Sequence, residues 1–142
     1  TQPVETTYSY TPQYNVVHQG SKVAIIAAGS FYQKGENVHR MLAQKGIDAT
    51  LINPRYLHEV DTETLHALKT NHQLVVTLED GCKDGGFGER IASYYGTSNI
   101  KVLVCGIQKG LYDRYDVQQL LADNQLLDEQ IIDNILNVIN MK

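Results

Sequence analysis

Residues 74–89 read Leu74-Val75-Val76-Thr77-Leu78-Glu79-Asp80-Gly81-Cys82-Lys83-Asp84-Gly85-Gly86-Phe87-Gly88-Glu89, and they are the most informative part of the sequence. Its first five residues form a largely apolar run, which predicts a strand buried on both faces. The acids and glycines that follow predict a constrained loop, and a helical pattern begins near Ile91. The loop therefore lies where a strand ends and a helix begins, the edge of an open α/β sheet at which functional residues collect.

The same alternation of strands and helices extends in both directions from this stretch. Strands are predicted at residues 23–28, 49–53, 73–78 and 100–104. Apolar residues at helical spacing predict a helix after each strand and a further helix near the end of the chain. Gly46 is expected to end the first helix, and Asp61 to cap the second. We therefore expect a three-layer, doubly wound α/β fold with a mainly parallel sheet of about five strands.

Residues 1–18 differ in composition from the rest of the chain. They contain Thr, Gln, Pro and the tyrosines Tyr8, Tyr10 and Tyr14 without a clear period. This composition predicts an arm or linker from a preceding domain, and residues 19–142 are expected to form one folded domain. The chain starts at Thr1, which is compatible with a fragment excised from a longer protein.

The bulk composition narrows the class of protein. The chain has 142 residues and a net charge of −4, which suits one domain and disfavours a nucleic-acid partner. Its longest apolar runs are shorter than the ~20 residues of a membrane-spanning helix. There is no signal-peptide pattern, and the two cysteines, Cys82 and Cys105, lie outside any CxxC context. We therefore expect a cytoplasmic protein without membrane or nucleic-acid partners.

The glycine-rich loop lacks the residues of the known phosphate-binding motifs. A P-loop ends in Gly-Lys-Ser/Thr, whereas this loop ends in Gly88-Glu89-Arg90, and its acids would repel an anion. The first predicted strand ends in a single Gly29, so the GxGxxG dinucleotide pattern is also missing. Glu79, Asp80 and Asp84 carry oxygen ligands for a hard cation, but the dipole of the following helix already favours acids there. We expect neither a cofactor nor a metal site in this chain.

The histidines and nucleophiles form no recognisable catalytic pattern. His18, His39, His58, His66 and His72 are scattered, and none belongs to HExxH. We interpret each of them as a solvated or internally satisfied side chain.

Ser30 lies outside a GxSxG elbow, and no histidine can be assigned to activate Cys82. Before the predicted helix at Val117, Asp116 is a candidate cap, and Arg114 either pairs locally or projects to a partner. We therefore expect no catalytic residue in this chain.

Four ordered motifs resemble the C-terminal domain of transketolases, over about residues 16–139. They are Gly20-Ser21-Lys22-Val23-Ala24-Ile25-Ile26-Ala27-Ala28-Gly29-Ser30, Gly46-Ile47-Asp48-Ala49-Thr50-Leu51-Ile52-Asn53-Pro54-Arg55-Tyr56 with Val60-Asp61, Val75-Val76-Thr77-Leu78-Glu79-Asp80, and Gly85-Gly86-Phe87-Gly88. Within that superfamily, Arg55-Tyr56 and Gly110-Leu111-Tyr112-Asp113-Arg114-Tyr115 are similar to the 1-deoxy-D-xylulose-5-phosphate synthase branch. His58-Glu59-Val60-Asp61 departs from the common Lys-Pro-Leu/Ile-Asp of that branch.

The resemblance implies one domain of a dimeric, thiamine-diphosphate-dependent transferase of isoprenoid biosynthesis. In that family the cofactor and Mg²⁺ lie between two other domains, and no cofactor-binding or catalytic residue of the family maps onto this chain. The chain is therefore expected to be inactive alone and to support dimerisation and architecture. The resemblance implies a structural or interface loop of six residues: Glu79, Asp80, Gly85, Gly86, Phe87 and Gly88. It adds a possible interface at Asp113 and Arg114, and implies that a β-branched residue at Gly86 would disturb folding or assembly.

Two other interpretations stay open. The chain can be the equivalent domain of a transketolase, or of a 2-oxoacid dehydrogenase E1 beta subunit, where it would dock a partner acyltransferase. It can also be a free-standing assembly module with this fold. The upstream reading frame distinguishes all three interpretations.

Overall fold

The computed structural model describes residues 14–54, 60–82, 86–107 and 117–140. Within these residues the strands are β1 (Asn15–His18), β2 (Lys22–Ala27), β3 (Thr50–Asn53), β4 (His72–Cys82) and β5 (Lys101–Ile107). The α-helices of the same residues are α1 (Tyr32–Gln44), α2 (Thr62–Leu68), α3 (Phe87–Tyr95), α4 (Val117–Asp123) and α5 (Asp128–Ile139). A 3₁₀ turn at Gly29–Phe31 leads into α1.

The strands form one twisted sheet in the order β1-β3-β2-β4-β5. β2 pairs in parallel with β3 and with β4, and β4 pairs in parallel with β5, whereas β1 runs antiparallel to β3 at the edge. Because β2, β3, β4 and β5 are parallel, their carboxyl ends lie at one edge of the sheet, and the strand order reverses at β2. The prediction of a mainly parallel, doubly wound α/β sheet is confirmed.

Helices cover both faces of the sheet, which makes three layers. Along β2, Val23 and Ile25 face a core cluster that includes Leu42 of α1 and Ile131 of α5. The alternating residues of the same strand, including Ile26, face a second cluster formed with α2 and α3. Because side chains alternate across a strand, a continuous apolar run is what a sheet buried on both faces requires.

Two local predictions are confirmed by the backbone geometry. Gly46 follows α1 with φ of +86°, a left-handed conformation that ends helices and favours glycine. Asp61 caps α2, because one carboxylate oxygen accepts the backbone N–H of Thr64 at 3.2 Å and the other accepts the Thr64 hydroxyl at 2.7 Å.

The structure also contains strand segments that the pattern did not predict. β1 lies within the stretch that we assigned to an arm, although it is paired into the sheet. β4 continues past Leu78 through Cys82, so part of the predicted loop is strand, with an irregularity in its pairing to β5. Acids and glycine at the end of a strand are unfavourable by propensity, which is why the apolar run suggested an earlier end.

None of the helices in the described parts of the chain is long and apolar enough to cross a membrane.

His72 is buried at the amino end of β4 within a short hydrogen-bond chain. Its Nδ1 lies 3.1 Å from the Leu68 carbonyl, and its Nε2 lies 2.7 Å from the Thr50 hydroxyl. A carbonyl only accepts, so Nδ1 donates to it and Nε2 accepts from the Thr50 hydroxyl. That hydroxyl in turn accepts the Gly20 N–H at 2.9 Å. The chain is satisfied by a neutral imidazole, and burial lowers the pKa of His72 from its usual 6.5.

We expect His72 to make stability depend on pH below neutrality. Because its folded pKa lies below 6.5, the unfolded chain takes up the proton first, so stability falls as the pH drops from 6.5 through the folded pKa. The slope contributed by this one group is at most about 1.4 kcal/mol per pH unit. Urea unfolding at a series of pH values should show this loss in the wild type and in His66→Gln, an exposed histidine on α2. It should be missing in His72→Gln, and an unchanged profile in that variant would contradict the assignment.

Candidate functional site

The candidate site lies at the carboxyl edge of the sheet, where β4 leads into α3. Glu79 lies near the end of β4, and its side chain is 5% exposed. Its Oε2 accepts the backbone N–H of Gly88 at 2.8 Å, and its Oε1 accepts that of Phe87 at 3.3 Å. These are among the first N–H groups of α3, which have no partner inside the helix.

Glu79 takes the place of a missing helix cap. The N-cap residue of α3 is Gly86, which has no side chain to accept an N–H. A carboxylate from the neighbouring strand therefore satisfies the helix terminus, and the positive end of the helix dipole favours its charge. The N-terminus of α3 has the geometry of an anion site, and the anion is supplied by the chain itself.

Gly88 is required by the close approach of α3 to the sheet. A Cβ at this position would lie 2.4 Å from Oγ1 of Thr77, 2.7 Å from Cγ1 of Val104 and 3.1 Å from Glu79. The first two atoms belong to β-branched side chains on strands, whose χ1 angles are stiff. Gly86 has φ of −88° and ψ of −169°, an extended conformation open to other residues. The structure therefore places a steric demand for glycine at Gly88, and the expected effect of a β-branched residue at Gly86 on folding or assembly stays a prediction.

Phe87, at the end of the glycine-rich loop, packs against Tyr14, the first residue that the structure describes. It is 2% exposed, and its ring packs edge-to-face against Tyr14 with centroids 6.2 Å apart. The Tyr14 backbone N–H donates to the Asp61 carboxylate at 2.8 Å, and burial raises the pKa of the Tyr14 phenol to about 12. The last residues of the predicted arm are thus anchored on the domain beside the loop.

The structure describes the other residues of the predicted loop and interface only in part. Asp80 lies on β4 in the strand conformation. Gly85, Asp113 and Arg114 lie outside the described residues, so their predicted roles stay predictions. Of the six loop residues, the structure brings together Glu79, Phe87 and Gly88.

A second group of polar side chains was not anticipated from the sequence. His18 at the end of β1, His39 on α1 and Asp48 before β3 each offer a ligand atom, and these atoms lie within 4.8 Å of one another. The three residues come from separate elements, so no spacing motif marks them. Only the antiparallel pairing of β1 with β3 places His18 near the turn that carries Asp48.

Comparison with known proteins identifies the fold family. The sequence model of "Transketolase, C-terminal domain" matches residues 13–131. The chain is 31% identical over 120 residues to 1-deoxy-D-xylulose-5-phosphate synthase of Alkaliphilus oremlandii, covering 83% of this chain and 19% of that protein. It is 32% identical over 125 residues to the enzyme of the same name from Rippkaea orientalis, covering 87% of this chain and 20% of that protein. The chain thus spans about a fifth of the length of these curated relatives.

Solved structures show the same fold. A split-gene transketolase, described as an inactive beta4 tetramer, superimposes with a TM-score of 0.75 at 24% identity, covering 88% of this chain and 40% of that chain. The 2-oxoglutarate:ferredoxin oxidoreductase of Magnetococcus marinus superimposes with a TM-score of 0.58 at 16% identity, covering 93% of this chain and 20% of that chain.

Proposed function

This chain belongs to the transketolase C-terminal domain family, and we propose that it is the C-terminal domain of a thiamine-diphosphate-dependent 1-deoxy-D-xylulose-5-phosphate synthase. The observation that carries the proposal is the identity of about 31% to such synthases over more than four-fifths of the chain. The whole enzyme condenses pyruvate with glyceraldehyde 3-phosphate and releases CO₂. In this proposal the chain contributes architecture and dimer contacts, and the other domains of the enzyme are its partners.

The candidate site supports an architectural role over a cofactor-binding one. A diphosphate needs free N–H donors or cations, yet the donors of Phe87 and Gly88 are occupied by Glu79. Gly88 packs so closely on β4 and β5 that side-chain atoms of Thr77 and Val104 fill the position that a Cβ would take. The described residues at the start of α3 therefore favour an architectural role over binding of thiamine diphosphate, and we assign no chemical step to them. Thiamine diphosphate and Mg²⁺ belong to the other domains of the proposed enzyme.

The edge strand supports contact with a preceding domain. Val16 and Val17 on β1 are 39% and 48% exposed, and they lie within residues 1–18, the predicted arm from a preceding domain. Exposed apolar side chains on an edge strand favour a covering partner. The predicted interface residues Asp113 and Arg114 belong to the same proposal. We place the enzyme in the cytoplasm, because neither Cys82 nor Cys105 lies in a CxxC context.

The cofactor assignment can be tested on the 142-residue chain itself. Isothermal titration calorimetry with thiamine diphosphate and MgCl₂ should give no binding heat beyond dilution. A saturable micromolar binding curve would contradict the architectural assignment. The full-length protein is the matched control, because it should bind the cofactor under the same conditions.

A further inference from the structure

Three side chains with metal-binding chemistry converge on the surface that carries β1 and α1. Nε2 of His18 lies 2.7 Å from Oδ1 of Asp48, and the His18 and His39 ring centroids lie 4.9 Å apart. One ligand atom from each residue lies within 4.8 Å of the other two. Ligands at 2.0–2.2 Å from a tetrahedral zinc are roughly 3.4 Å apart, so the most distant pair needs to close by up to about 1.4 Å, and the His18–Asp48 pair needs to open by about 0.7 Å. The His18 and Asp48 side chains are 45% and 69% exposed, which leaves them free to rotate inward.

His39 is held in the orientation that a metal-ligating histidine usually has. Its Nε2 lies 2.9 Å from the Ala49 carbonyl, and a carbonyl only accepts, so Nε2 carries the proton. Nδ1 is then left with a lone pair. Histidine ligands commonly donate their other N–H to a backbone carbonyl, which fixes the tautomer and the ring orientation. The half-buried position of His39 on α1 adds rigidity to this arrangement.

We propose that His18, His39 and Asp48 bind a divalent transition metal such as Zn²⁺. Two imidazoles and one carboxylate form a borderline donor set that suits zinc and its neighbours, whereas Mg²⁺ and Ca²⁺ prefer oxygen ligands. Three protein ligands leave one tetrahedral position open to water or to a group from another molecule.

The charges around the cluster are compatible with a cation. The three residues carry one negative charge when the histidines are neutral. Glu36 and Arg40, which carry opposite charges, line an open groove of about 590 Å³ together with His18 and His39. The guanidinium of Arg40 donates to the Asn37 side chain at 2.7 Å. Glu36, the acidic residue of α1, lies one helical turn before His39.

A bound metal would join three elements that are distant in the sequence. It would link the edge strand β1 to α1 and to the turn before β3, and it would stabilise the folded chain because the unfolded chain does not hold the three ligands together. The metal would therefore fasten β1, which lies at the end of the predicted arm, onto the sheet.

Titration of the 142-residue chain with ZnCl₂ in a non-chelating buffer tests the site. Calorimetry should show one Zn²⁺ per chain and no heat with MgCl₂. His18→Ala, His39→Gln and Asp48→Asn should each weaken binding by about tenfold or more. His39→Gln keeps a side-chain donor for the Ala49 carbonyl, so it removes the ligand with little loss of structure. Co²⁺ should give a visible absorption band in the wild type that is missing in His39→Gln.

A histidine outside the cluster provides the control. His66→Gln, on the exposed side of α2, should bind Zn²⁺ as the wild type does. Absence of zinc binding by the wild type would overturn the proposal. So would zinc binding that survives the three cluster substitutions, because the metal would then be held by other residues.

Discussion

Replacing Gly88 with alanine is expected to destabilise the chain by about 2–3 kcal/mol, although alanine is the better helix former. The added Cβ would lie 2.4 Å from Oγ1 of Thr77 and 2.7 Å from Cγ1 of Val104. These side chains are fixed on adjacent strands, so α3 must move away from the sheet to relieve the contact. Urea unfolding of the wild type and the variant measures the loss.

A second substitution tests the steric origin of this effect. Thr77→Ala removes the nearer obstacle, so Gly88→Ala should cost less in that background than in the wild type. A Cβ added at Gly46 would meet nothing within 4 Å, but the φ of +86° is unfavourable for alanine. Gly46→Ala is therefore the control for a loss of stability that comes from backbone conformation alone. It should cost about 1 kcal/mol. Equal losses for Gly88→Ala in both backgrounds would contradict the packing explanation.

Glu79→Gln is expected to destabilise the chain by about 2 kcal/mol. The amide keeps the size of the side chain and one acceptor oxygen, but its NH₂ group would face one of the two N–H donors at the start of α3. One buried donor is then left without an acceptor, and the favourable charge at the helix N-terminus is lost. Urea unfolding near neutral pH gives the difference in free energy.

Glu63 provides the matched control for this substitution. It lies in the first turn of α2 but is exposed, so Glu63→Gln should change stability by no more than about 0.5–1 kcal/mol. If the two substitutions lowered the free energy of unfolding equally, the buried hydrogen bonds of Glu79 would add no more stability than an exposed acid in the first turn of a helix. The Glu79 carboxylate would then be free for some other role at this edge.

The sequence was sufficient for the overall architecture, because buried parallel strands have a strong local signature. The apolar runs that became β2 and β4 are continuous, and each is buried on both faces. The cap at Asp61 and the left-handed Gly46 were also predictable, since both depend on neighbouring residues only.

The features that escaped prediction depend on distances between elements. β1 is a short edge strand with an exposed face, so its residues lack the apolar run of a central strand. The steric demand for glycine at Gly88 arises from how closely α3 approaches Thr77, which no local pattern encodes. The cluster of His18, His39 and Asp48 likewise exists only after β1 pairs with β3.

We propose above that this chain completes a 1-deoxy-D-xylulose-5-phosphate synthase. The most direct test expresses the full reading frame that encodes these 142 residues and assays it with pyruvate, glyceraldehyde 3-phosphate, thiamine diphosphate and Mg²⁺. We expect 1-deoxy-D-xylulose 5-phosphate and CO₂ in equal amounts, and no product from residues 1–142 alone. A full-length protein that transfers two-carbon units between sugar phosphates without consuming pyruvate would contradict the claim. So would a reading frame that encodes no further domain.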